Sequence, residues 1–240
     1  MKRYRREDEV SYSLGITLTF ELLKYAGEYV NRVYVHSQME EGEAFTKLKK
    51  LCEELSVPME YSDKPFNILS QKENCYIIGE FRKFSRPVSK DSNHVVLNNP
   101  SNAGNMGTIM RSAAGFGLTN LVIITPAVDE FDPKTVRASM GAIFRLNISV
   151  YDSFDSYYKD FPNQNMYPFM LQARINLPDI NPVKPFSLIF GNEATGLPRD
   201  FLDIGTGVII PHSNRIDSLN LPIAASIAMY EATKGTDWSL

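Results

Sequence analysis

The stretch His94-Val95-Val96-Leu97, running into Asn98-Asn99-Pro100-Ser101-Asn102-Ala103-Gly104-Asn105-Met106-Gly107-Thr108-Ile109-Met110-Arg111, decides the fold class. A short aliphatic run reads as a buried strand, a polar glycine-bearing loop follows it, and a helix is expected over 106–116. The pattern repeats downstream. Strands are expected at 121–124, 148–151, 167–171, 186–190 and 208–210, with a helix after Asp132-Pro133 running to Met140 and Gly141. Strands alternating with helices imply βαβ units and a mostly parallel α/β sheet. Such sheets build ligand sites at the carboxyl ends of their strands.

Upstream of this stretch the residues read as a smaller α/β unit. Residues 18–30 carry apolar positions at helical spacing, 32–36 are strand-like, and 43–55 form a charged helix with Phe45, Leu48, Leu51 and Leu55 inside. Another strand is expected at 75–79. His36 ends the 32–36 strand as a surface residue, since no ligand cluster accompanies it. Between 84 and 93 the composition turns polar, with Arg86, Pro87, Ser89, Lys90, Asp91 and Ser92, and this is the candidate linker. Two domains follow, 1–90 and 91–240.

The 240 residues are 43% hydrophobic and 22% charged, ordinary globular material. No apolar run approaches the roughly 18 residues that span a bilayer, and the first residues lack a signal peptide's apolar core, so a cytoplasmic protein with no membrane partner is expected. Cys52 and Cys75 have no metal-ligand spacing and read as reduced, structural thiols. A formal net charge of −3 argues against nonspecific nucleic-acid binding and leaves room for a local basic patch. Lys2, Arg3, Arg5 and Arg6 are the densest basic cluster, and read as a solvated tail.

Three loops carry the polar groups. Ser218-Leu219-Asn220 follows Val208-Ile209-Ile210-Pro211 and opens an alanine-rich helix in which Pro222 fits the first turn. Ile223, Ile227 and Tyr230 fall on one face of that helix, and Gly235 ends it. Ser218 is a natural N-cap, and two small polar side chains at a helix entrance serve either as caps or as a site for a polar ligand. Leu188 through Pro198 is a strand running into a glycine-bracketed turn, with Glu193 either a turn carboxylate or an acceptor for an amine or hydroxyl. Asn105 is expected at a helix entrance, capping it. Arg111, off the face of Asn105, is either an ion-paired surface arginine or a planar fork for phosphate.

Several chemistries are excluded by what the loops lack. There is no Walker lysine after Gly104, no dinucleotide fingerprint among Gly104, Gly107, Gly115 and Gly117, no Gly-x-Ser-x-Gly elbow, and no His and carboxylate cluster for a metal.

Taken together, the three segments resemble the SpoU or TrmH family of RNA ribose methyltransferases, of the SPOUT class. The first motif of the family, Asn-x-Gly-x-x-x-Arg, stands as Asn105-Met106-Gly107-Thr108-Ile109-Met110-Arg111. The second, Phe-Gly-x-Glu-x-x-Gly-Leu, stands as Phe190-Gly191-Asn192-Glu193-Ala194-Thr195-Gly196-Leu197. The third pairs Ile210-Pro211 with Ser218-Leu219-Asn220, and Arg137-Ala138-Ser139-Met140-Gly141 is similar to a segment often found between the first two. The likeness covers roughly residues 93–235. Asn214 stands where the third motif usually has glycine, and asparagine tolerates positive φ well enough for the loop to close. His212 replaces a commoner methionine.

The resemblance implies a SPOUT-type parallel sheet with a C-terminal trefoil knot, preceded by a small domain related to an L30-like fold that binds the RNA substrate. It implies a homodimer with the active site near the subunit interface. It also implies S-adenosylmethionine held largely by backbone groups at Gly191, Ile210 and Leu219, and methyl transfer to a ribose 2′-hydroxyl in structured RNA, ribosomal or transfer. Asn105, Arg111, Glu193, Ser218 and Asn220 would be the catalytic set, with no metal. A guanidinium is a poor base, so Arg111 is read as a phosphate clamp and electrostatic stabiliser. The alternative is a catalytically silent RNA-binding protein that keeps the fold.

Overall fold

In the computed structural model residues 3–69 and 74–236 are described, so Lys2 of the basic cluster lies outside the described residues. The chain divides into two units: Met1–Phe84 with Asp129–Arg145, and Ser85–Val128 with Leu146–Leu240.

The first unit is built on alternation. Its sheet runs β1 (Val10–Leu14), β4 (Ile77–Arg82), β2 (Val30–Val35), β3 (Met59–Tyr61), with β4 antiparallel to both neighbours and β3 parallel to β2. Val33 and Val35 join Leu23, Phe45, Leu48 and Cys52 from α1 (Ile16–Ala26) and α2 (Glu43–Glu54), while Tyr34 between them joins Tyr12, Phe66 and Ile78 on the opposite side. A strand sends successive side chains to opposite faces, so each face gets its own core. Phe66 lies on α3 (Lys64–Leu69).

The segment 129–145 departs from a single boundary near residue 90. It holds α5 (Pro133–Ala138), which packs on β1, and a 3-10 turn, Ala142–Arg145, which packs on α1. Tyr4 donates to the Asp129 carboxylate, Ser11 to the Phe131 carbonyl and Arg145 to Glu21, while Phe81 meets the rings of Phe131 and Phe144 edge-on. Asp132 caps α5 by accepting from the Lys134 amide, the local signal that reads like any helix start and hides the change of unit.

The second unit is a five-stranded sheet, parallel throughout, in the order β7 (Asn147–Tyr151), β6 (Asn120–Ile124), β5 (His94–Asn98), β10 (Phe186–Phe190), β8 (Asn165–Pro168). All five residues of β6 and of β10 are buried, as expected of strands covered on both faces. Val96, Val122 and Ile189 face Phe154 and Tyr157 of α6 (Phe154–Asp160). Elsewhere α4 (Ala103–Gly115) and α7 (Leu221–Thr233) pack together, with the Ser112 and Ser226 hydroxyls 2.8 Å apart, and α7 rests on β10.

From β5 the chain moves outward through β6 to β7, then crosses to β8 and returns to β10 beside β5. Strand order therefore reverses between β5 and β10, which is where open parallel sheets place ligands.

Three expectations change. The strand expected at 167–171 stops at Pro168, and 208–210 is not in the main sheet: β11 (Val208–Ile209) pairs with β9 (Ile175–Asn176) in a separate two-stranded ladder. The polar stretch 85–93 is not a free connection. Ile148 donates to the Arg86 carbonyl at 2.8 Å, the Val88 amide to Ser149 Oγ at 3.1 Å and the Ser89 amide to Asn120 Oδ1 at 3.0 Å. The buried His94 ring donates from Nε2 to the Ser89 carbonyl at 2.7 Å, which leaves Nδ1 to accept from the Tyr157 hydroxyl at 2.9 Å. The stretch is thus held by its own backbone groups, which bond His94, Asn120, Ile148 and Ser149 of β5, β6 and β7. Among the described residues no helix is long and apolar enough to cross a membrane.

Candidate functional site

The loops after β5 and β10 meet across the reversal point. Asn99 adopts φ 58, a left-handed conformation asparagine accepts, and its carbonyl receives the Asn192 side-chain amide at 2.8 Å. Asn192 Oδ1 in turn accepts from the amides of Ala194 and Thr195 at 2.9 and 3.2 Å, which shapes the turn. Gly191 is required there: a Cβ would stand 2.2 Å from the Gly196 carbonyl carbon.

Glu193 reaches back to the first loop. Its carboxylate accepts from the Ser101 hydroxyl at 2.7 Å and amide at 3.0 Å, from the Asn102 amide at 3.2 Å and from Asn105 Nδ2 at 3.1 Å. Partial burial pushes this carboxyl upward, but the bonds from Ser101, with help from Asn105, outweigh burial, and the net direction is below the usual carboxylate range. Glu193 is thus held as an anion by four donated hydrogen bonds.

Asn105 and Glu193 are brought together, but Asn105 is not the cap. That position belongs to Asn102, whose side chain accepts from the Asn105 amide at 3.0 Å and frees the Asn105 side chain for Glu193. Ser218 is not a cap either: Asn220 takes the N-cap position of α7, and its side chain makes no capping bond. Both are exposed. Asn214 has no positive φ, so its loop closes without it. Arg111 projects from α4 into solvent with no hydrogen bond or ion pair among the described residues.

Below these loops lies a cleft of about 230 Å³. Gly191, Glu193, Ile210, Ser218 and Leu219 line it, while Asn105, Arg111 and Asn220 do not. Phe169 and Phe190 add an aromatic wall, stacked at 4.8 Å between centroids. His212, also lining it, donates from Nδ1 to the Ile210 carbonyl at 2.8 Å. Among the described residues no lysine or arginine lines the cleft, and Glu193 gives it a negative edge. Such a set suits a flat, apolar group carrying positive charge rather than a phosphate. Among the described residues no cluster of His, Cys, Asp and Glu could hold a metal.

Sequence reasoning missed Ser101, Asn102 and Phe169. An asparagine three residues before Asn105 was a readable capping signal. Phe169 carried none.

Residues 92–230 match the model of the SpoU rRNA Methylase family. An uncharacterized tRNA/rRNA methyltransferase of Synechocystis sp. is 32% identical over 143 residues, 58% of this chain and 52% of that protein, so the chain matches about half the length of this relative. A putative tRNA (cytidine(34)-2′-O)-methyltransferase of Listeria innocua is 32% identical over 59% of this chain and 87% of its own. The crystal structure of an AdoMet-bound rRNA methyltransferase from Sinorhizobium meliloti superposes with a TM-score of 0.80 at 23% identity, over 95% of this chain and 88% of that one, a likeness of fold.

Proposed function

The chain belongs to the SpoU rRNA methylase family, and from that premise we propose that it transfers a methyl group from S-adenosylmethionine to a ribose 2′-hydroxyl of a structured RNA. The observation that carries this reading is the joining of the β5 and β10 loops by Glu193 over a cleft that holds Gly191, Ile210 and Leu219. The family's methyl donor is a sulfonium nucleoside, and it supplies an already activated methyl group. Its needs fit the residues present: an aromatic and aliphatic wall, backbone groups at strand ends, a carboxylate and, among the described residues, no competing cation.

Within that reading each side chain has a separate task. Arg111, exposed and uncommitted, binds an RNA phosphate with its planar fork and stabilises charge as the hydroxyl loses its proton. Ser218 and Asn220, spared from capping, orient the ribose and the cofactor. Glu193 fixes Asn105 and the first loop in place. The deep trefoil knot is carried over from the family as part of this reading. The N-terminal unit, with its four-stranded sheet, is read as the L30-like domain that binds RNA.

A homodimer completes the proposal. Ile223, Ile227 and Tyr230, which the spacing on α7 puts on one face, are 53%, 39% and 59% exposed, while Ala225, Ala228 and Met229 face the chain's own core. An apolar stripe on a helix already buried along its other side fits a second copy of the chain. A cytoplasmic location fits an RNA substrate and is part of the proposal.

The test is methyl transfer from radiolabelled S-adenosylmethionine to total RNA of a strain lacking the gene, followed by nucleoside analysis. Label in a 2′-O-methyl nucleoside supports the reading, and absence of both transfer and saturable cofactor binding favours a silent RNA-binding protein.

A further inference from the structure

Phe169 sits just past β8, and its backbone is pinned on two sides. Its amide donates to the Ile189 carbonyl of β10 at 2.9 Å, and it bridges to Val208 of β11. Its ring lies nearly parallel to that of Phe190, with 4.8 Å between centroids and 18° between planes. Phe190 is 2% exposed, so the lower ring is fixed in the core, whereas Phe169 is only half-buried and belongs to the wall of the cleft. The uncovered part of Phe169 therefore falls where the cleft is. The side chain is backed by a second aromatic ring and left bordering the space that Gly191, Ile210 and Leu219 also border.

A ring held flat by its stacked neighbour, in a cleft bordered by strand-end loops, suits a ligand with apolar faces and a hydrogen-bonding rim, which is the description of a purine. We propose that Phe169 is the stacking platform for the adenine ring of the methyl donor, with Phe190 as its fixed backing. Val208, Ile209 and Leu197 close the apolar walls around that platform, and the strand-end backbone is left to read the purine's edge. The inference rests on the methyl-transfer reading and adds to it a positioning residue: a side chain that grips the nucleoside end of the donor and takes no part in the chemistry at the sulfonium. Stacking is indifferent to the amino-acid end of the cofactor, so its loss weakens every adenine-bearing ligand by the same factor.

The experiment is calorimetric titration of the full-length protein with S-adenosylhomocysteine and, separately, with 5′-methylthioadenosine, which keeps the adenosine and lacks the amino acid. Phe169→Leu keeps an apolar side chain without the π face. It is expected to weaken both ligands by about tenfold, within the range of about 5- to 150-fold for loss of one base–aromatic stack, and Phe169→Tyr restores affinity to within about twofold of the parent. NMR on the unaltered protein with labelled phenylalanine gives an independent readout should Phe169→Leu fold poorly: adenine H2 and H8 are expected to show contacts to a phenylalanine ring. Binding by Phe169→Leu equal to the parent's, or a parent complex without such contacts, overturns the assignment and leaves the methyl-transfer reading standing. A parent that binds neither ligand overturns the methyl-transfer reading itself, and this assignment with it.

Discussion

Glu193 and Ser101 are 92 positions apart in the chain, yet the carboxylate of one accepts both the hydroxyl and the amide of the other, at 2.7 and 3.0 Å. Every further partner of that carboxylate is also a donor, so the β5 loop is organised around a negative charge that comes from the β10 loop.

Glu193→Gln keeps the shape and removes the charge, turning an NH2 group toward donors. It is expected to lower stability by about 1 kcal/mol, reduced from the usual value of a charged hydrogen bond by partial exposure, and to cut methyl transfer by more than tenfold. Because the folded carboxyl titrates below the usual range, its contribution is complete above the ordinary value of 4.5 and is lost as pH falls through its lowered folded value. Urea unfolding between pH 6 and pH 3 should therefore show a shallower acid decline for the variant. Identical profiles for variant and parent would refute the role.

Arg111→Ala should abolish transfer with cofactor affinity unchanged within a few fold, and with stability within about 0.5 kcal/mol, as for an exposed residue without partners. Arg111→Lys should also be poor, since an ammonium cannot present a bidentate fork. Single-turnover rates and calorimetry together decide; a large loss of cofactor affinity contradicts the phosphate role.

Ser218→Ala and Asn220→Ala separate function from capping. A working N-cap costs about 0.5–2 kcal/mol when removed, but neither side chain caps α7. Both variants should melt with the parent while single-turnover methylation falls. Lowered melting with full activity would make this loop purely structural.

His94 makes a second pH prediction, opposite in range to that of Glu193. Burial lowers its pKa, only partly countered by the Ser89 carbonyl, so the folded protein keeps the ring neutral where the unfolded chain takes up a proton. Its contribution to stability is complete above about 6.5, the unfolded value, and declines as pH falls through the lowered folded value. His94→Gln should flatten the stability profile between pH 7 and pH 5. An unchanged slope would show that another group governs this range.

Ile227→Glu puts a charge in the middle of the exposed stripe of α7. Sedimentation should shift from dimer to monomer without unfolding, as judged by circular dichroism. A dimer that survives the substitution places the contact elsewhere.

Alternation of apolar runs with polar loops made the parallel sheet legible, and buried β6 and β10 follow from runs such as Leu121 to Ile124. Glu193 and Asn105 stood out as polar groups at strand ends, but their pairing depends on the strand order, which places β10 beside β5. Periodicity cannot reveal that. The α7 face was visible as Ile223, Ile227 and Tyr230, though its direction was not, because alanine and methionine on the other side are equally apolar. The short strands β1 and β3 were missed: three residues, Met59 to Tyr61, are too few for a period, and β1 alternates with serines that are themselves buried.

The chain passes between its two units three times, after Phe84, after Val128 and after Arg145. Synthesis from the N-terminus therefore cannot finish the first unit at residue 84, since the faces of β1 and α1 that receive α5 and the Ala142–Arg145 turn stay bare until those residues leave the ribosome. By then β5 and β6 of the second unit already exist without β10. Neither unit is a cassette that gene fusion or limited proteolysis could release as one unbroken segment: the first closes only with residues 129–145, and the second only when β8, β10 and α7 follow.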